Sequence, residues 1–180
     1  MTNTVWAIDP MHSVVQFKVK HLAVSNVTGN FNIFEGSLQT ESEDFNHANI
    51  HFEIETNSAN TNNIERDTHL RSELFFNSGK FPKILFNGSL QKIEDNFELI
   101  GELTMLETTK KIKLNAEFTG IGQGRFGDTR AGFEIDGKLN RKDYGLNFSL
   151  LTDIGNLVVG EEVKLHFDIQ VIKQVKQQEA

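Results

Sequence analysis

The sequence predicts an all-β fold, a single closed antiparallel β-barrel of about eight strands with one short helix at about residues 62–75. Three observations predict it. Apolar and polar residues alternate in run after run from Val15 to Val171, the pattern of antiparallel strands with one wet face. A single stretch, Arg66 to Phe86, breaks that pattern with helical spacing and then returns to it. The aromatic content is lopsided, 15 Phe against one Tyr and one Trp, so nearly every ring is hydrocarbon without a polar handle. Such an interior either fills a barrel with rings or lines a cavity for an apolar ligand, since small barrels do both.

In chain order, Val15, Phe17, Val19 and His21 share one face of the first clear strand, opposite Gln16, Lys18 and Lys20. After a turn at Gly29, a second strand runs from Phe31 to Leu38, with the neighbours Ile33 and Phe34 marking a bulge or a strand end. Ile50, Phe52 and Ile54 alternate next, and NSANTNN leads into the helix. Asn62 and Asn63 are cap residues, Glu65 stands where it reaches back to Asn62, and Leu70 and Leu74 share a face at i,i+4 spacing. Asn77, Ser78 and Gly79 supply the stop, and Pro82 admits the chain to a strand only at its first residues. Ile84 and Phe86 open that strand, with Asn87-Gly88 a turn or bulge. Alternation resumes over Phe97 to Met105, Ile112 to Phe118, Ala131 to Leu139 and Val163 to Val171, and Leu146 to Leu150 adds a short segment. Gly101, Ala116, Ala131 and Gly137 are small residues on inward faces; they mark either close backbone approach or space at the barrel axis.

At 180 residues the chain suits one domain, residues 1–172, with a tail at 173–180 that lacks a packed face and is expected to fray. A net charge of -7 disfavours nucleic acid and anionic membrane surfaces as partners. Without cysteine there is neither a disulfide framework nor a thiolate metal site. No run is long enough to span a bilayer and MTNTVWAIDP has no export signature, so no stable membrane anchor and a cytoplasmic location are expected.

The glycines of GQGRFG match a dinucleotide-binding pattern literally, but a strand follows them where that chemistry needs a helix, so they read as a hairpin loop. His12, His21 and His69 have no short ligand spacing, and His21 on its apolar face reads as a hydrogen-bonded core histidine; no metal and no cofactor is expected. His12-Ser13 is the only adjacent base and nucleophile, and neighbours in a strand point apart, so no catalytic residue is assigned. Arg66, Asp67, Arg71, Arg141 and Asp143 form either an ion-pair network at the barrel mouth or a clamp for a ligand head group.

Several motifs in this order, Ile8-Asp9-Pro10 with His12-Ser13, Lys20-His21-Leu22, Arg66-Asp67 with His69-Leu70-Arg71-Ser72, Phe81-Pro82, Arg130-Ala131-Gly132-Phe133 and Arg141 with Asp143-Tyr144-Gly145-Leu146, resemble the YceI-like family of polyisoprenoid-binding proteins over nearly the whole chain. The resemblance implies a lipocalin-like barrel with a long apolar tunnel for an isoprenoid, quinone-like or acyl lipid, no established enzymatic activity, and a homodimer. The chain departs from the family's usual residues at Leu74, Asn77 and Glu107-Thr108. The expected wall takes Phe17, Val19 and His21 from the first strand, Phe52, Ile54, Phe86, Leu99 and Leu114 from the middle of the chain, and Phe133, Ile135, Leu165 and Phe167 from the last two long strands. Leu70, Leu74 and Phe75 from the helical segment and Tyr144 complete it.

Overall fold

The computed structural model describes residues 3–149 and 158–175. The strands are β1 (Thr4–Ile8), β2 (Val14–His21), β3 (Ser25–Phe31), β4 (Phe34–Thr40), β5 (Asn49–Glu55), β6 (Ala59–Asn60), β7 (Lys83–Ile93), β8 (Asn96–Met105), β9 (Thr108–Gln123), β10 (Thr129–Asn140) and β11 (Val159–Lys173). All pairings are antiparallel, and β1-β4-β5-β7-β8-β9-β10-β11 closes into an eight-strand ring through β1–β11. β2, β3 and β6 continue the sheet beyond that ring, β2 pairing with the first half of β11 and β1 with its last residues. Three staves of the barrel are therefore bent: β1/β2 at a 3-10 turn (Pro10–His12), β3/β4 at Asn32-Ile33, and β5/β6 at a 3-10 turn (Thr56–Ser58).

Local chemistry explains the bends and corrects several expectations. Ile33 and Phe34 mark a strand end, with Ile33 turned to solvent. Gly29 lies inside β3, where the Phe17 ring occupies the space a Cβ would need; the turn falls instead at Leu22-Ala23, both in the left-handed region. Asn87-Gly88 is also strand interior. Gly88 faces Gly101 across β7 and β8, and the Phe86 ring lies against the pair. The two glycines are thus explained by close approach of a ring, not by empty space at the axis. Residues 145–149 form no strand, and the remainder of the expected Leu146–Leu150 segment, Leu150, lies outside the described residues. At the C-terminus, Lys173 pairs with Trp6 and the Gln174 N–H donates to the Val5 carbonyl at 2.8 Å, so the expected tail begins as sheet; its residues 176–180 lie outside the described residues.

The helix, α1 (Ile64–Arg71), is shorter than expected. Its cap is Asn63, whose Oδ1 accepts the Arg66 N–H at 2.9 Å, so Arg66 rather than Glu65 stands at the capping-box position. Ser72 ends it by turning both its N–H and its hydroxyl onto the His69 carbonyl. Beyond that point the i,i+4 relation to Leu70 lapses, and Leu74 is 56% exposed.

A polar cluster fixes the first bend. Asp9 Oδ1 accepts the Met11 N–H at 3.1 Å, while its Oδ2 meets His12 Nδ1 at 2.7 Å and Arg130 Nη1 at 2.8 Å. Burial alone would raise the Asp9 carboxyl, but the bonds from His12, the Met11 N–H and Arg130 together outweigh it and hold it below its ordinary value. A carboxyl depressed in the folded state contributes stability that is present above the unfolded value, about 3.9, and is lost as pH falls through the folded one. Thermal melts from pH 6 down to pH 3 are expected to show Asp9→Asn less stable at pH 6 and flatter below about pH 4 than the parent protein.

Candidate binding site

The interior is a tunnel. A cavity of about 430 Å³ runs along the inside of the barrel, and both Val159 and Val171 of β11 stand on its wall. Between them the strand advances about 40 Å at ~3.3 Å per residue, or about 30 Å along the axis for a tilt near 40°. A modest volume spread over that length suits a chain rather than a compact molecule.

The two ends differ. At one end the wall includes Lys20 and Arg66, both exposed, with His21, His69 and Phe148; among the described residues this end is the mouth. At the other, Leu38, Leu90, Leu99, Phe133 and Val171 are buried, and the cavity stops. Along β11 the inward residues Val163, Leu165 and Phe167 are only half-buried although the barrel encloses them, whereas Ile169 and Val171 are buried. Their residual accessibility is tunnel surface: the bore is open in its upper half and packed towards the floor.

Of the expected wall, Phe17, Val19, His21, Phe52, Ile54, Leu70, Phe75, Phe86, Leu99, Leu114, Phe133, Ile135, Leu165 and Phe167 stand on the cavity. Two do not. Leu74 points outward for the reason given above, and Tyr144 is buried beside a separate surface depression shared with Lys110, Lys138 and Glu162. Burial raises the Tyr144 hydroxyl, with Asp143 adding to the effect. His21 is a half-buried mouth residue rather than a hydrogen-bonded core histidine.

The charged residues at the mouth make no direct ion pair with one another among the described residues, which corrects the network expectation. Instead Thr61 joins Arg66 to Asp67: its hydroxyl donates to Asp67 Oδ1 at 2.6 Å and accepts from Arg66 Nε at 2.7 Å. Arg71 donates to the Ala59 carbonyl at 3.0 Å. Arg141, 3% exposed, holds three carbonyls, those of Leu146, Gly160 and Val159. Desolvation lowers its affinity for a proton, and Glu161 opposes that shift. Above them His69 meets Phe75 at 5.1 Å and Phe148 at 4.8 Å between ring centres, both edge-on, forming an aromatic collar.

Nothing in this arrangement assembles a reactive centre from the residues singled out. His12 is bonded to Asp9 and Ser13 to Gln170, so the pair is not a nucleophile with its base. His12 lies at the closed end, far from His21 and His69, and no group of three His, Cys, Asp or Glu able to hold a metal is found among the described residues. GQGRFG is a hairpin loop, with Gln123 paired to Thr129 across it.

Comparison with known proteins adds to this geometry. A family model described as the YceI-like domain matches residues 6–171. The chain belongs to the YceI family. A UPF0312 protein of Yersinia enterocolitica is 36% identical over 163 residues, covering 90% of this chain and 82% of that one. Among solved structures, BcnA of Burkholderia cenocepacia shares this YceI fold with a TM-score of 0.78 at 14% identity, over 91% of this chain and 98% of its own. A polyisoprenoid binding domain from Saccharophagus degradans shares it at TM-score 0.68 and 15% identity, over 94% and 98% of the two chains. The antiparallel barrel was readable from alternation; the depth of each inward residue along the bore was not.

Proposed function

We propose that this YceI-family barrel binds a long apolar lipid of the isoprenoid type, tail inward, and that it holds or carries the lipid without transforming it. The observation that carries the reading is the shape and chemistry of the bore: a narrow tunnel whose wall is almost wholly hydrocarbon and which, among the described residues, opens at one end. The name of the Saccharophagus degradans neighbour, a polyisoprenoid binding domain, supports the same ligand class. Tail burial dominates affinity, because each buried methylene contributes about 0.8 kcal/mol and one five-carbon unit therefore about 4. A hydrogen bond to a charged head contributes about 1.5–3 kcal/mol. The head rests among Arg66, His69 and the aromatic collar, and selectivity follows tail length more than head chemistry.

The test is native mass spectrometry of protein purified without detergent, followed by organic extraction. The expected result is a prenyl, quinone or acyl lipid at near one per chain, or stoichiometric uptake of added polyprenol by stripped protein. Stripped protein that takes up no polyprenol would overturn the reading in favour of a barrel acting through its surface.

A further inference from the structure

We propose that Phe45 sets the length of tail that the tunnel accepts, its ring backing the wall residues of the floor at which the chain end stops. This rests on the tail-binding reading above. The residue sits in the polar connection SEDFNHA between β4 and β5, where neither alternation nor spacing marks it. Yet it is 2% exposed, and its ring centre lies 5.2 Å from Trp6, 5.6 Å from Phe118 and 5.3 Å from Phe133, the last edge-on. Phe133 stands on the cavity wall whereas Phe45, Trp6 and Phe118 do not, so Phe45 fills the space immediately behind the wall at the tunnel's end.

The backbone is built to hold it there. Phe45 (φ 60) and His47 (φ 62) both adopt the left-handed region, which bulky side chains rarely do. Four bonds over-determine the loop: the His47 N–H to the Leu90 carbonyl at 2.9 Å, the Leu90 N–H to the Ala48 carbonyl at 3.0 Å, the Asn46 N–H to Asp44 Oδ1 at 3.2 Å, and the Lys92 N–H to Asn46 Oδ1 at 3.0 Å. Leu90, the residue so stitched to the loop, is itself on the cavity wall. A ring inserted from a loop, behind the last wall residues and braced on three aromatic neighbours, is a stop. Shortening it lengthens the bore without altering the mouth.

The experiment titrates all-trans prenols of increasing length into stripped protein, comparing the parent with Phe45→Ala and with Phe45→Leu, the latter keeping most of the packing. In the parent, affinity is expected to rise about four-fold per buried methylene until the floor is reached, then to stop rising. Phe45→Ala is expected to move that cut-off outward by about one isoprene unit, the ring removed being close to that size, and Phe45→Leu by less. Affinity for prenols too short to reach the floor is unchanged. A folded variant with an unmoved cut-off would overturn the assignment of Phe45 while leaving tail binding intact. A parent protein that binds no prenol of any length would overturn both.

Discussion

Leu165→Trp is expected to weaken lipid binding by about 100-fold while leaving the melting temperature within a few degrees of the parent. Leu165 lies on β11 opposite Gly137 on one neighbour and Phe17 on the other, and it stands on the tunnel wall in the open half of the bore. It is half-buried inside a closed barrel, which means that the space before it is void rather than side chain. An indole there grows into the bore, so the strain that follows overpacking of a filled core does not arise. Each methylene it displaces from the tail costs about 0.8 kcal/mol, and displacing three or four costs about 3 kcal/mol, close to the 100-fold loss. Lipid retention by mass spectrometry and a thermal melt on the same sample check both halves. Wild-type retention would place the lipid outside the tunnel; loss of binding with a large fall in melting temperature would mean that Leu165 is packed.

Leu165 and Phe133 differ in a way that the sequence does not reveal. Both lie on inward faces by the same alternation, and period two assigns a face but not a depth. Phe133 is braced by Phe45, Phe97 and Phe118, and a larger ring at that position meets side chains instead of void. Ile169 and Leu165, four residues apart on the same face of one alternating run, differ in the same way. Glycine was ambiguous for a related reason. The same residue type serves a turn and a close approach, so Gly29 and Gly88 read as turns although each lies inside a strand beneath an aromatic ring. Leu74 failed because the end of α1 is set by where Ser72 spends its hydrogen bonds, which spacing does not reveal. Phe45 was invisible because a loop residue has no period. What alternation did carry was the barrel itself and most of its wall, since a closed sheet leaves each inward position no other side to face.

Arg141→Met is expected to destabilise the protein by about 3 kcal/mol, read as a lower urea midpoint at unchanged slope. One guanidinium holds the carbonyls of Gly160 at 2.8 Å, Leu146 at 2.6 Å and Val159 at 3.3 Å, tying the 3-10 turn Arg141–Tyr144 and the segment after it to the first residues of β11. Methionine preserves most of the side-chain volume but leaves three carbonyls without their donor, that of Leu146 at a buried bond and those of Gly160 and Val159 at part-buried ones, and each bond to a charged group contributes about 1.5–3 kcal/mol before non-additivity. Burial opposes the charge, and Glu161 restores part of what burial takes away. A lysine cannot span three carbonyls from one planar fork, so Arg141→Lys is expected to recover less than half of the lost stability. The same pair of variants separates a structural from a ligand-binding role at the mouth. If Arg141 chiefly held a ligand's head group, Arg141→Met would keep the parent's urea midpoint in lipid-free protein and lose only affinity. If it chiefly anchors the start of β11, the midpoint falls with or without lipid, and the tunnel loses its upper wall at Val158 and Val159 before it loses its floor.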